Sequence, residues 1–253
     1  MIEIRHTEDT QSAYNEIYTG ESIHQMDSFF IWICSILGVE PGIRLLDVAT
    51  GRGQMVEFAT RRGAKAYGID LSTVACTIAS KKVKMSFLCS NGQELPFQSG
   101  SFDIVTNLGS LEHFKRMDTG IQEMARVLKP SGLACLTVPN TFGLRWNVQY
   151  AWKWGDVDDD GQPLQRYGTR KQWEQLLEEN GLRIQKVLGY EHERAVPRTR
   201  TDLLNYLKHP KRLLSMLTIA RILPVNMAGQ FVFICKPDFY ASAAVEQKYK
   251  RGD

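Results

Sequence analysis

Apolar positions along the chain switch between two spacings. Between residues 22 and 38, Phe29, Phe30, Ile33, Ile36 and Leu37 recur at helical intervals, and Gly38 followed by Pro41 stops the run, so this segment predicts a helix. Residues 43–49 form a short continuous apolar run, the mark of a strand covered on both faces. Helical spacing returns over 54–62, and the alternation then repeats. It predicts strands over 64–70, 85–90, 101–108 and 132–139, with helices over 72–82 and 117–129. Short apolar strands separated by helices imply an α/β sheet with helices on both faces.

The rhythm breaks after residue 139. Residues 140–168 read as a loop-rich insertion carrying Trp146, Tyr150, Trp152, Trp154 and Tyr167. A helix over 169–180 follows, with Thr169 as N-cap and Gly181 as its stop, and then a strand over 182–190. Residues 191–228 form a second insertion in which leucines alternate with Arg and Lys, before a last strand over 230–236. The expected organisation is a single structural domain. Residues 1–40 are a helical lid, and residues 41–253 are the sheet domain with insertions at 140–168 and 191–228.

Composition narrows this picture little. The 253 residues, 43% hydrophobic, suit one large α/β domain, and 31 Lys and Arg against 28 Asp and Glu give no global signal of a nucleic-acid partner. The five cysteines are scattered without metal-ligand spacing, so no metal site is expected, and reduced thiols in apolar runs fit a cytoplasmic protein. No apolar stretch approaches the roughly 20 residues needed to span a bilayer.

Candidate chemistry begins at the first strand-to-helix turn, Asp47-Val48-Ala49-Thr50-Gly51-Arg52-Gly53-Gln54. Such a turn is the usual ligand site of an open parallel sheet, and its glycines let the backbone approach a ligand closely. The next strand ends at Asp70, where a carboxylate can accept both hydroxyls of a ribose. A dinucleotide fingerprint counted from Gly51 requires glycine at position 56, which is Val56. A nicotinamide-dependent oxidoreductase is therefore the weaker of two nucleoside-binding readings.

LLDVATGRGQ, AYGIDLS, CSNGQELPFQSGSFDIVTNLGSLEHF and EMARVLKPSGLACLTVPN run in order from residue 45 to 140 and resemble the successive motifs of class I S-adenosylmethionine-dependent methyltransferases. The likeness is to the small-molecule group that includes quinone-type methyltransferases and enzymes of glycan and secondary-metabolite pathways. The resemblance implies a Rossmann-like, seven-stranded, mostly parallel sheet and S-adenosylmethionine as cofactor, with S-adenosylhomocysteine as product. It puts Asp47 near the cofactor's amino group, Ala49, Gly51 and Gly53 against its methionine and ribose, Asp70 on the ribose and Leu71 on the adenine face. Asn91 and Gly92 would meet the adenine edge, and Asn107 and Leu108 the methionine. Two positions depart from the family pattern. Ala49 stands where glycine is common and fits if its φ stays below zero. Asn91 stands where Asp is common, and its side-chain carbonyl can still accept from the adenine amino group.

His113, in the segment after the 101–108 strand, is the candidate general base for an acceptor that must lose a proton; the plainer reading is a structural histidine at a helix start. Tyr14 and Tyr18 in the lid either hydrogen-bond donor or acceptor or pack in the core. Trp146, Tyr150, Trp152 and Trp154 either grip the acceptor or form the core of their own insertion. The basic, leucine-rich 191–228 segment either lies against anionic lipid or a phosphorylated acceptor, or covers the sheet. Asp158, Asp159 and Asp160 read as a solvated run. Base-amino methyltransferases typically place N/D-P-P-Y/F after this strand, where the chain reads Asn107-Leu108-Gly109-Ser110, so no nucleic-acid partner is expected. The acceptor expected is a small molecule or a lipid- or sugar-linked one, methylated on oxygen or nitrogen. A protein that binds S-adenosylmethionine without catalysis is the non-enzyme alternative.

Overall fold

The computed structural model describes residues 1–20, 25–84, 87–191, 197–208, 210, 213–214 and 222–238. The chain opens with a short strand β1 (Ile2–Arg5) and two helices, α1 (Thr10–Thr19) and α2 (Asp27–Ile36). The βα alternation follows as β2 (Arg44–Val48), α3 (Gln54–Arg61), β3 (Lys65–Asp70), α4 (Thr73–Lys82), β4 (Phe87–Cys89), β5 (Phe102–Leu108), α5 (Met117–Val127) and β6 (Leu128–Pro139). Then come α6 (Gln149–Trp154), β7 (Leu164–Tyr167), α7 (Arg170–Glu179), β8 (Leu182–Tyr190), α8 (Arg200–Lys208) and β9 (Gln230–Pro237).

Seven strands form one sheet in the order β4-β3-β2-β5-β6-β9-β8. The five from β2 to β6 run parallel, while β9 is antiparallel to both β6 and β8. The fold is thus the α/β sheet that the apolar pattern predicts, mostly parallel and seven-stranded as the family resemblance implies. Crossovers from β2 run outward through β3 to β4, and those from β5 run the other way through β6. The order therefore reverses between β2 and β5, and the carboxyl ends of these strands part to leave a crevice. Side chains alternate across the sheet. Leu46, Val48, Val105 and Leu136 pack on one face with Trp173 of α7. Leu45, Ile104 and Cys135 pack on the other with Phe29 and Ile33 of α2 and Met55 and Val56 of α3.

Helix caps follow the sequence. Ser72 accepts the Ala75 N–H at the start of α4, and Thr169 and Gln172 form a reciprocal capping box on α7. Four expectations need correction. The helix read over 22–38 runs from Asp27 to Ile36, because Met26 is extended at its N-cap; residues 22–24 lie outside the described residues. α5 ends at Val127, and β6 starts at Leu128 rather than at 132, with a register shift against β5 between Phe102 and Ile104. The leading segment is not only helical, since β1 precedes α1. The 140–168 insertion is not mainly loop: a wide helical turn (Leu144–Val148), α6 and β7 occupy it, and β7 pairs antiparallel with β1. Part of 191–228 lies outside the described residues. Within it, α8 and a short turn (Val225–Met227) are formed.

Candidate active site

A cavity of about 360 Å³ lies over the carboxyl ends of β2, β3 and β5 and under α1. Its floor is the β2–α3 turn, which bends through three left-handed residues: Ala49 at φ 59°, Gly51 at 55° and Gly53 at 76°. Ala49 thus does not keep φ below zero as its tolerance requires. It holds a conformation costing an L-residue roughly 1–2 kcal/mol. Gly51 is constrained twice, because a Cβ there would sit 2.8 Å from the Tyr18 hydroxyl. Gly53 faces away from the cavity, where a Cβ would meet Phe87 at 2.8 Å.

The Asp70 carboxylate organises this turn. One oxygen accepts the Gly51 N–H at 2.8 Å and the other accepts the Ser72 N–H at 2.9 Å. Burial pushes its carboxyl above the usual carboxylate range, against the lowering pull of these amides. Asp47, at the end of β2, is also buried and accepts from the Thr106 hydroxyl at 2.6 Å. Desolvation pushes its carboxyl up to about 7.

Helix α1 forms the roof. Its Asn15 carbonyl accepts from the Ser72 hydroxyl at 2.7 Å, and Gln11 donates to the Leu71 carbonyl at 3.0 Å, which ties the roof to the β3–α4 turn. Tyr14 and Tyr18 both point into the cavity, where burial raises both phenols above their ordinary range. The Tyr14 hydroxyl donates to Gln162 at 3.3 Å and its ring meets His113 edge-on, centroids 6.3 Å apart. Arg52 reaches from the floor to the carbonyls of Tyr18 and Gly20.

His113 closes the other end, on a short helical turn (Leu111–His113) after β5. Its Nδ1–H donates to the Leu164 carbonyl of β7, which fixes the tautomer and leaves Nε2 with its lone pair. Burial holds the imidazole below its usual range and therefore neutral at pH 7. Nε2 lies 3.9 Å from Glu112, whose carboxyl burial pushes up to about 8. The turn is fastened from behind by Arg166 of β7, a buried guanidinium that donates to the carbonyls of Phe114 at 2.6 Å and Glu112 at 3.3 Å and to Glu3 of β1 at 2.7 Å. The β1–β7 ribbon thus links the roof to the His113 turn.

Of the residues singled out in the sequence, Asp47, Ala49, Gly51, Asp70, Leu71, Asn91, Gly92, Leu108, His113, Tyr14 and Tyr18 line one cavity. Asn107 does not. It is fully buried and donates to the Val48 carbonyl at 3.2 Å, joining the ends of β5 and β2. The Asn91 carbonyl, expected to accept from adenine, accepts instead from the Gln93 backbone at 3.0 Å and side chain at 2.9 Å. Trp146, Tyr150 and Trp152 lie outside the cavity: Trp146 covers Gly229, and Trp152 stands 86% exposed on α6. The insertion reaches the site through Gln162 and Leu164 instead.

Two further residues enter that the sequence reading passed over. Gln25 and Arg52 line the cavity, and the Gln25 Oε1 and Arg52 Nε are buried without a hydrogen-bond partner among the described residues. An acceptor and a cationic donor in one cavity with the Asp47 carboxylate match the ammonium and carboxylate of an amino acid, and Asp70 in the same cavity matches a ribose. The residues present fit S-adenosylmethionine. Arg52 was findable in the sequence, between the two motif glycines; Gln25 sat in a segment read as helix.

Comparison with known proteins follows the same lines. Residues 46–136 match the methyltransferase domain family. The demethylmenaquinone methyltransferase of Chlorobaculum tepidum is 38% identical over 98 residues, 38% of this chain and 40% of that protein. The one from Bacillus velezensis is 36% identical over 145 residues, 52% of this chain and 62% of that protein. The matched segments thus span about 40% to 62% of these curated relatives' length. Among solved structures, a Haloferax volcanii methyltransferase in complex with its activator superposes with a TM-score of 0.62 at 17% identity, over 91% of this chain and 96% of that one.

Proposed function

We propose that this chain, whose residues 46–136 match the methyltransferase domain family, is a class I methyltransferase that moves a methyl group from S-adenosylmethionine to an oxygen or nitrogen of a small-molecule or lipid- or sugar-linked acceptor. The observation that carries the reading is Asp70, buried at the end of β3 with each oxygen tied to a loop amide, in the same cavity as the unpartnered Arg52 Nε and Gln25 Oε1.

The cofactor supplies a methyl already activated on a sulfonium, so the protein's work is alignment. Asp70 receives the ribose hydroxyls, Leu71 lies along the adenine, and Arg52, Gln25 and Asp47 hold the amino-acid end. The roof excludes water. His113 Nε2 takes the proton when the acceptor is a hydroxyl, a role that its Nδ1–H bond to Leu164 prepares by setting the tautomer. A neutral amine needs no such step. The small-molecule class draws support from the names of the curated relatives, demethylmenaquinone methyltransferases.

The test is label transfer. Methyl-tritiated S-adenosylmethionine incubated with the protein and small-molecule or lipid extracts is expected to yield labelled product and S-adenosylhomocysteine. His113→Asn is expected to slow a hydroxyl acceptor by roughly 10²- to 10⁴-fold with cofactor affinity kept. Tight cofactor binding with no transfer to any extract would favour the binding-protein alternative.

A further inference from the structure

We infer that α8 is a docking element for an anionic membrane surface, with its outward leucine face as the inserting part, a property that goes beyond the proposed reaction. The sequence of residues 191–228 fits a helix covering the sheet, or one lying against anionic lipid or a phosphorylated acceptor. Burial along α8 separates them. Among its described side chains, those it turns inward are Asp202 and Tyr206, 2% and 3% exposed, while Leu203, Leu204 and Leu207 are 51%, 58% and 63% exposed. Asp202 is spent on structure: it accepts the Ser28 N–H at 3.0 Å at the start of α2, and its own N–H donates to Thr199. A helix laid on a core by its apolar stripe shows the opposite arrangement.

At about 100° per residue, the three leucines fall within one arc of about 100°. Arg200 falls in the same arc one turn earlier, and Lys208 just beyond it; both are exposed. In sequence, residues 197–214 hold Arg198, Arg200, Lys208, Lys211 and Arg212 against one acid, the buried Asp202. An apolar face edged by cations is complementary to a bilayer, where leucines reach the acyl boundary and Arg and Lys meet anionic headgroups. Two other occupants fit less well. A second copy meeting this face about a two-fold axis would bring like charges together. Protein hot spots favour Trp, Tyr and Arg and under-use Leu.

Co-sedimentation of the full chain with lipid vesicles tests this. Vesicles of phosphatidylcholine with about 30% phosphatidylserine are expected to bind the protein in a salt-sensitive way, and pure phosphatidylcholine to bind it weakly. The triple substitution Leu203→Ser, Leu204→Ser, Leu207→Ser should lower partitioning about tenfold or more with S-adenosylhomocysteine affinity unchanged, since all three side chains are exposed. Arg200→Ser with Lys208→Ser should abolish the preference for anionic vesicles. No binding by the parent, equal binding by the leucine variant, or a dimer in light scattering that the leucine variant dissociates would each overturn the inference. Retained S-adenosylhomocysteine binding keeps this outcome separate from the proposed function.

Discussion

Asp70 does two jobs, and replacing it separates them. Its oxygens hold the Gly51 and Ser72 amides at 2.8 and 2.9 Å, and the residue lines the cavity. In Asp70→Asn one oxygen survives, so one amide stays paired while the other meets an NH₂ group. The unpaired amide costs about 1–3 kcal/mol, offset in part because a buried carboxylate no longer has to stay ionised. One ribose hydroxyl keeps a neutral acceptor and the other loses a charged one, which weakens cofactor binding by about 1.5–3 kcal/mol, roughly 10- to 150-fold. Asp70→Ala removes both acceptors and loosens the turn, so its affinity should fall further still. Calorimetric titration with S-adenosylhomocysteine measures the affinity, and thermal melting reports the fold. An Asn variant that melts like the parent and binds within about threefold would show that Asp70 does not carry the ribose.

Three further outcomes are expected. Ala49→Gly relieves a left-handed alanine worth roughly 1–2 kcal/mol and gives back about 0.4–1 kcal/mol of unfolded-chain entropy, so the urea midpoint should rise slightly; a lower midpoint would contradict the strain at φ 59°. Arg166→Ala strips the charged hydrogen bonds to Glu3 and Phe114 and should cost about 1.5–3 kcal/mol, with the N-terminal segment becoming protease-sensitive before the sheet; unchanged proteolysis would show that Arg166 does not fasten the ribbon. Glu112, pushed up to about 8, keeps a proton in the native state that the unfolded chain releases above its ordinary value of 4.5, so its contribution is greatest at low pH and is lost as pH rises from there to 8. Asp47, pushed up to about 7, adds the same sign below pH 7. Glu112→Gln should therefore flatten the fall in stability by up to about 1.4 kcal/mol per pH unit, and an unaltered slope would place the linkage elsewhere.

The cofactor half of the site was legible because its signals are local. Glycines at a strand end, a carboxylate at the next strand end and apolar runs of fixed length are all read within a few residues, and Gly51, Asp70 and Leu71 meet in one cavity. What escaped notice depends on distant pairing. The strands IEIR and LQRY are four residues each, too short to register as periodic, and they exist because they pair with each other across the chain. Arg166, Leu164 and Gln162 consequently lay inside a segment read as loop, while its tryptophans, conspicuous in sequence, stand away from the cavity. The sign of φ at Ala49 was likewise beyond composition, because only the closure of the turn onto Asp70 forces it.

Whether this cavity binds a nucleoside-linked amino acid is tested by direct titration. Isothermal calorimetry of the full chain with S-adenosylmethionine, S-adenosylhomocysteine and NADH in parallel should give saturable one-to-one binding of the first two and none of the third, with Arg52→Ala weakening both ligands. Absence of heat and of any thermal shift at millimolar S-adenosylmethionine, alongside clear NADH binding, would contradict the account.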